Sequence, residues 1–459
     1  MQQATAAPAR RLFTSTWLFY FFGALGGILF GYDLGVISGV LLFVNKIWKL
    51  GTFEQGVVGG CLAAGAVVGA IFAGRLTDRL GRRQTIMLAA VIFALGTLGC
   101  TFAPNVTVLV ISRFIVGIAV GCSSATVPTY LSELAPARIR GALSTLNQLM
   151  IVSGILLAYI VDWALTPSAN WRAMFAAALI PAVVLFLGML GMPETPRWLL
   201  KAGRDDEARS VLASTNRAGD VEAELANIRE VIQLDSERQG RLRDLVTKWA
   251  KPALIVALLL AVGQQLSGVN AINIYAPQMF TNLGFTNGTS LLAAIVLGAV
   301  KVAFTAWVIF MVDRWGRKPL LLLGSACMAL TLGLLGVAIL VIHNHTAVGL
   351  TTLILLIIYL AGYELGWGAV VWVMMAEVFP LKVRGIGMGT SSVALWAATF
   401  AITFIFPAMN KGLGLSNSVF IFAAISVVLF FLVQRIVPET KGRSLEEIEL
   451  DLRARTGGR

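Results

Sequence analysis

The string Asp78-Arg79-Leu80-Gly81-Arg82-Arg83 returns in the second half of the chain as Asp313-Arg314-Trp315-Gly316-Arg317-Lys318. Two further sets recur in the same order. Glu133, Arg140 and Gly141 return as Glu377, Arg384 and Gly385, and Pro193-Glu194-Thr195 returns as Pro438-Glu439-Thr440. One copy of D-R-x-G-R-[RK] carries little weight. Three ordered pairs flanking equivalent apolar segments point to duplication of a half. Parallel repeats of that size are a known transporter plan, with substrate bound near the midplane between halves.

The solvent implied by the composition is lipid. Of 459 residues, 57% are hydrophobic and only 13% charged, where a soluble chain carries about a quarter charged. Segments of about 20 apolar residues cross the ~30 Å hydrocarbon core. Twelve are legible, at about 17–44, 56–76, 84–103, 106–130, 141–164, 171–191, 252–281, 289–311, 319–342, 350–378, 386–409 and 415–436. The first carries no small-residue cleavage site and reads as a retained span. The expected fold is therefore an all-α membrane protein: twelve transmembrane helices in two pseudo-symmetric six-helix halves, 1–192 and 251–437. A polar linker at 193–250 and a tail at 438–459 complete the chain. Within the linker, Val221, Leu225, Ile228 and Ile232 form one face of an amphipathic helix, so this insert reads as a small helical bundle on the membrane face. Ser444 and Glu447 form a capping-box pattern in the tail.

The net charge of +12 does not imply nucleic acid. It follows from basic loops on one face: Arg75, Arg79, Arg82, Arg83, Arg138, Arg140, Arg314, Arg317, Lys318, Lys382 and Arg384, against Lys46, Lys49, Arg172 and Lys411 on the other. By the positive-inside rule the first set, the insert and both termini are cytoplasmic, in a cell membrane. The four cysteines have no paired spacing and read as buried thiols.

The duplicated charges Asp78, Arg79, Arg82, Glu133, Arg140 and Glu194, with Asp313, Arg314, Arg317, Glu377, Arg384 and Glu439, fall at cytoplasmic helix ends. They are expected to form a cytoplasmic gate. Exposed pairs contribute about 0–1 kcal/mol each, and a network biases a two-state equilibrium without locking it. Topology alone accounts for the arginines but not for the matched acids.

Asp33 in span one and Arg113 in span four are charges at membrane depth, costly unless paired or neutralised. Spans one and four run in opposite directions, so both fall roughly 10–15 Å below the outer surface. Arg cannot release its charge and Asp can. The pair fits a proton-coupling site, the alternative being a static ion pair. Lys301 in span eight lies about 18 Å from the inner helix end, with Glu364 a candidate partner. Gln148, Gln264, Gln265, Asn270 and Asn273 present donors and acceptors without charge, as sugar hydroxyls require. Trp367, Trp372 and Trp396 add flat apolar faces. The alternative for the glutamines is bonding between helices.

The strings GRLTDRLGRR, PETPRWL, QQLSGVNAINIYAP, VDRWGRKP, AEVFPLKVRG and VPETKG together resemble the sugar porter family of the major facilitator superfamily, over about residues 17–450. The resemblance is to bacterial proton-coupled xylose and glucose symporters. It implies alternating access, sugar held by Gln148, Gln264, Gln265, Asn270 and Trp372, and Asp33–Arg113 as the coupling pair. Passive facilitators of the family tend to carry Asn where Asp33 stands. This chain departs from the family pattern at Ile274, where a gating Tyr is usual, and at Leu395, Ala369 and Lys301.

The expected function is import of a monosaccharide, hexose or pentose, with protons. A facilitative uniporter is the alternative. A sugar sensor would carry longer signalling tails. No nucleophile–base arrangement, cofactor loop or metal cluster is legible, so neither an enzyme nor a cofactor is expected. The expected partners are a monosaccharide, a proton and the lipid bilayer, with no nucleic acid and a monomeric state.

Overall fold

The computed structural model describes residues 16–134, 140–215, 220–237, 242–443 and Glu447. Twelve helices are long and apolar enough to cross a membrane: Tyr20–Trp48, Thr52–Leu80, Arg82–Thr101, Val106–Leu134, Leu146–Ser168, Trp171–Leu190, Lys251–Asn282, Asn287–Val308, Arg317–Val341, His345–Val378, Arg384–Leu413 and Leu415–Ile436. They are spans one to twelve below. The capping-box pattern at Ser444 falls outside the described residues.

Helices in lipid gain little from hiding apolar surface from one another, so small residues that let backbones approach decide the packing. Spans two and four make one of the most extensive helix contacts. There, Gly65 and Gly69 face Gly117 and Gly121. A methyl group on any of them would collide with a backbone carbonyl of the facing helix: Phe114, Ile118, Leu62 or Ala66 respectively. Gly31 in span one meets the Ile151 carbonyl of span five in the same way.

Two spans of the second half are broken near their middles. Span seven consists of helices Lys251–Leu266 and Val269–Asn282, joined through Ser267 and Gly268. Gly268 has φ +90°, a region that L side chains disfavour, and packs directly on the Phe422 ring. Span ten is interrupted by a π-helical turn at Glu364–Gly368 before resuming at Val370–Val378. Such turns concentrate at functional positions, and broken helices free backbone groups where a transporter needs them.

The segment between spans six and seven forms helices Pro196–Lys201, Asp205–Thr215 and Val221–Glu237 and a 3-10 turn at Leu242–Val246. Leu225 of its amphipathic face is buried, with Val221 and Ile228 packed on the core. Of the four thiols, Cys61, Cys100 and Cys122 are buried, and Cys327 is only partly so.

Candidate substrate cavity

A cavity of about 760 Å³ runs from the insert helices to the middle of the helix bundle. Asn227, Ile228 and Val231 line its mouth, and Phe30, Gln148 and Trp372 line its floor. A further space of about 60 Å³ continues from that floor. Gln264, Gln265, Asn270, Asn273, Lys301, Glu364 and Trp396 line it, again with Phe30, Gln148 and Trp372. The sequence-expected sugar residues therefore line two adjoining spaces that share Phe30, Gln148 and Trp372.

Their amides form a chain of hydrogen bonds. Gln264 donates to the carbonyls of Trp367 and Gly368, which the π turn leaves available. Gln265 donates to Gln264 at 3.0 Å, Asn270 to Gln265, and Asn273 to Asn270 at 3.4 Å. Lys301 donates to Asn273 at 3.3 Å and pairs with Glu364 at 3.5 Å. Thr305 closes the series on the Glu364 carboxylate at 3.1 Å, and Gln148 of the first half lines the same space. Trp372 is half-buried against the open space, whereas Trp396 is enclosed, tilted on Phe30 at 5.0 Å and donating to Ser124 at 3.4 Å.

Asp33 and Arg113 meet as the sequence suggested, with Nη2–Oδ2 at 3.2 Å. Arg113 also donates to the Val58 carbonyl at 3.1 Å and lies over the Phe175 ring at 5.9 Å. Both residues are buried, and neither lines the cavity in this conformation.

On the opposite face the halves are closed on each other. The Tyr275 hydroxyl shares its proton between the carbonyls of Gln55, in span two, and Thr403, in span eleven, and its ring stacks on Phe406 at 5.2 Å. Gly59 leaves the room that this hydroxyl occupies. Tyr159 of span five donates to the Asn273 carbonyl at 2.8 Å. Beyond this closure lies a separate vestibule of about 410 Å³. The sequence at Ile274 suggested a missing gate, yet the next residue bridges the halves.

In this conformation the duplicated charges that are described pair within each half. Arg82 grips Glu133 through two contacts, at 3.0 and 3.1 Å, with Asp78 at 3.9 Å. Arg317 meets Glu377 at 3.3 Å. Glu194 accepts the backbone N–H groups of Arg82, Arg83 and Thr195. Glu439 accepts those of Arg317, Lys318, Thr440 and Lys441. Each acid thus caps the first turn of span three or span nine, where unsatisfied N–H groups and the helix dipole favour a carboxylate. These pairs stay within one half and are formed while the cavity on their face stands open. In this open form they clamp each half internally. Arg79 and Arg314 are exposed, Arg384 donates to the Phe379 carbonyl, and the side chains of Arg140 and Asp313 lie outside the described residues.

Burial pushes the Glu194 carboxyl above the ordinary range, more than its three N–H donors and Arg82 offset. Glu439 is less enclosed. Burial opposes its charge there, but its backbone donors prevail and hold it below the ordinary value.

A family model described as "Sugar (and other) transporter" matches residues 19–452. The chain belongs to the sugar porter family of the major facilitator superfamily. This porter is 42% identical to the D-xylose transporter of Levilactobacillus brevis over 447 residues, covering 96% of this chain and 97% of that one. It is 40% identical to the major myo-inositol transporter IolT of Bacillus subtilis, with coverages of 94% and 92%. Its fold matches the structure of a proton:xylose symporter bound to 6-bromo-6-deoxy-D-glucose, with TM-score 0.81, 31% identity, and 95% and 99% coverage. The family is one of transporters, not enzymes.

Proposed function

We propose that this porter imports a monosaccharide together with a proton by alternating access. The carrying observation is the uncharged amide series running from Gln264 to Asn273 along one wall of the central cavity, faced by Gln148 and the Trp372 ring. Neutral amides match hydroxyl groups in both donor and acceptor roles, and a ring face offers an apolar surface to the C–H side of a sugar. An anionic or cationic cargo would call for unpaired charge, whereas Lys301 and Glu364 neutralise one another. Relatives named for xylose and myo-inositol transport support testing a pentose and a cyclic polyol alongside hexoses.

Coupling falls to Asp33, the titratable member of the Asp33–Arg113 pair. Proton uptake and release change its bond to a fixed cation and so bias the equilibrium between the two open forms. By the positive-inside rule the insert face is cytoplasmic in the plasma membrane, and this conformation is inward-open. The units that rock are residues 1–192 and 251–437, tethered by 193–250, with 438–459 a cytoplasmic tail.

Uptake of xylose, glucose, galactose, fructose and myo-inositol into proteoliposomes, with and without a pH gradient, tests the reading. Sugar-dependent alkalinisation of the medium is expected. Sugar flux without it would establish passive facilitation and reduce Asp33 to a structural residue.

A further inference from the structure

Asp162 is an acid in span five that none of the foregoing uses. Its exposure is 0%. One carboxylate oxygen, Oδ2, accepts the Gly39 N–H of span one at 3.1 Å. The other, Oδ1, is buried without a hydrogen-bond partner among the described residues. Gly39 has no room for a side chain because the carboxyl fills it.

Of the cations on the spans packed against span five, Lys46 is exposed near the end of span one, and the others are engaged elsewhere. Arg113 pairs with Asp33, and Lys301 with Glu364. Arg172 donates to the Ala103 carbonyl and lies over Trp171. The titratable groups that sense Asp162 are two phenols, Tyr32 of span one and Tyr159 of span five, and Tyr32 donates its own proton to the Met174 carbonyl. A bare carboxylate in such a place costs several kcal/mol, whereas a carboxyl that keeps its proton does not.

The position is also informative. Asp162 lies six residues before Ser168, about 9 Å below that end of span five. Gly39 lies six residues beyond Asp33 on span one, so Asp162 stands about 9 Å closer to the face opposite the insert than Asp33 does. It neighbours Tyr159, whose hydroxyl helps to close that face.

We infer that Asp162 is a second proton-binding carboxyl, holding its proton on Oδ1 in this conformation, between Asp33 and the face opposite the insert. The inference rests on the proton coupling proposed above.

Infrared spectroscopy of the purified full chain reads a protonated carboxyl through its carbonyl stretch, apart from carboxylates. Asp162→Asn keeps an oxygen for the Gly39 N–H, so a purely structural role survives it. The expected result is loss of one protonated-carboxyl band in D162N but not in D33N. In proteoliposomes, D162N is expected to require more acid medium for half-maximal uptake, by about half a pH unit or more, roughly threefold in proton concentration. A carboxyl spectrum unchanged by D162N, or an unchanged pH profile, overturns the assignment. Should D162N fail to bind sugar, Asp162→Glu serves instead, because only a band belonging to this position moves when the acid is lengthened. Flux independent of pH in the parent would refute coupling itself, and the infrared comparison would still decide Asp162.

Discussion

The Tyr275 hydroxyl in span seven donates to the Gln55 carbonyl in span two, 3.2 Å away, and so bolts one half of the molecule to the other on the face opposite the open cavity. Tyr275→Phe keeps the stack on Phe406 and removes the one proton shared between Gln55 and Thr403, of which only Gln55 lies in the other half. That bond is worth about 1 kcal/mol, so the population open on that face should rise about fivefold. Spin labels at Thr52 and Asn410, on either side of the vestibule, report it by pulsed electron resonance. An unchanged distance distribution would mean that packing alone holds the closure.

Asp33→Asn leaves Arg113 with a neutral acceptor and removes the proton. Accumulation of sugar against its gradient should vanish while exchange of labelled for unlabelled sugar persists. Loss of exchange as well would identify the pair as a strut between spans one and four.

Gln264→Ala takes the donor from the Trp367 and Gly368 carbonyls and the acceptor from Gln265. Sugar affinity should fall by about 1–3 kcal/mol, the cost of buried groups left unpaired. Thermal stability should fall with it, because span ten loses support at its break. Gln148→Ala, whose residue stands across the cavity, should weaken binding with little change in melting temperature. Calorimetric titration and thermal unfolding separate the two effects.

Glu439 and Glu194 should respond to pH with opposite sign. The Glu439 carboxyl is held low, so its contribution is present above the ordinary carboxylate value, about 4.3, and is lost as pH falls through its lowered value. The stability gap between parent and Glu439→Gln should therefore widen from acid to neutral pH. The Glu194 carboxyl is raised, so its contribution is present below the ordinary value and erodes as pH rises through the raised one. The gap to Glu194→Gln should narrow over the same interval. Melting temperatures of detergent-solubilised protein between about pH 4 and 7 test both, and parallel behaviour of the two variants would contradict the difference in burial.

Much of this architecture was legible in the chain because lipid enforces a simple code. Span count followed from apolar length, and the meeting of Asp33 with Arg113 from rise per residue in antiparallel helices. The convergence of Gln148, Gln264, Gln265 and Asn270 followed from the family resemblance. What escaped depended on contacts between halves or on backbone groups. The matched acids at Glu194 and Glu439 look like gate charges, yet their partners are N–H groups, which sequence does not display. Tyr275 was passed over because the neighbouring position departs from the family pattern, and the tyrosine's reach to Gln55 is a matter of tertiary placement. Asp162 drew no expectation from the sequence, because its enclosure against Gly39 is a tertiary relationship.

The amide series from Gln264 to Asn273 is bonded end to end within the protein itself. An incoming sugar must therefore interrupt contacts as it makes its own, and the surplus from each exchange is small. A loosely held passenger is what a shuttle needs, since a cavity that gripped tightly on loading would stall at unloading. The same self-sufficiency lets the vacant molecule complete its return stroke without stranding bare polar groups in the middle of the bilayer.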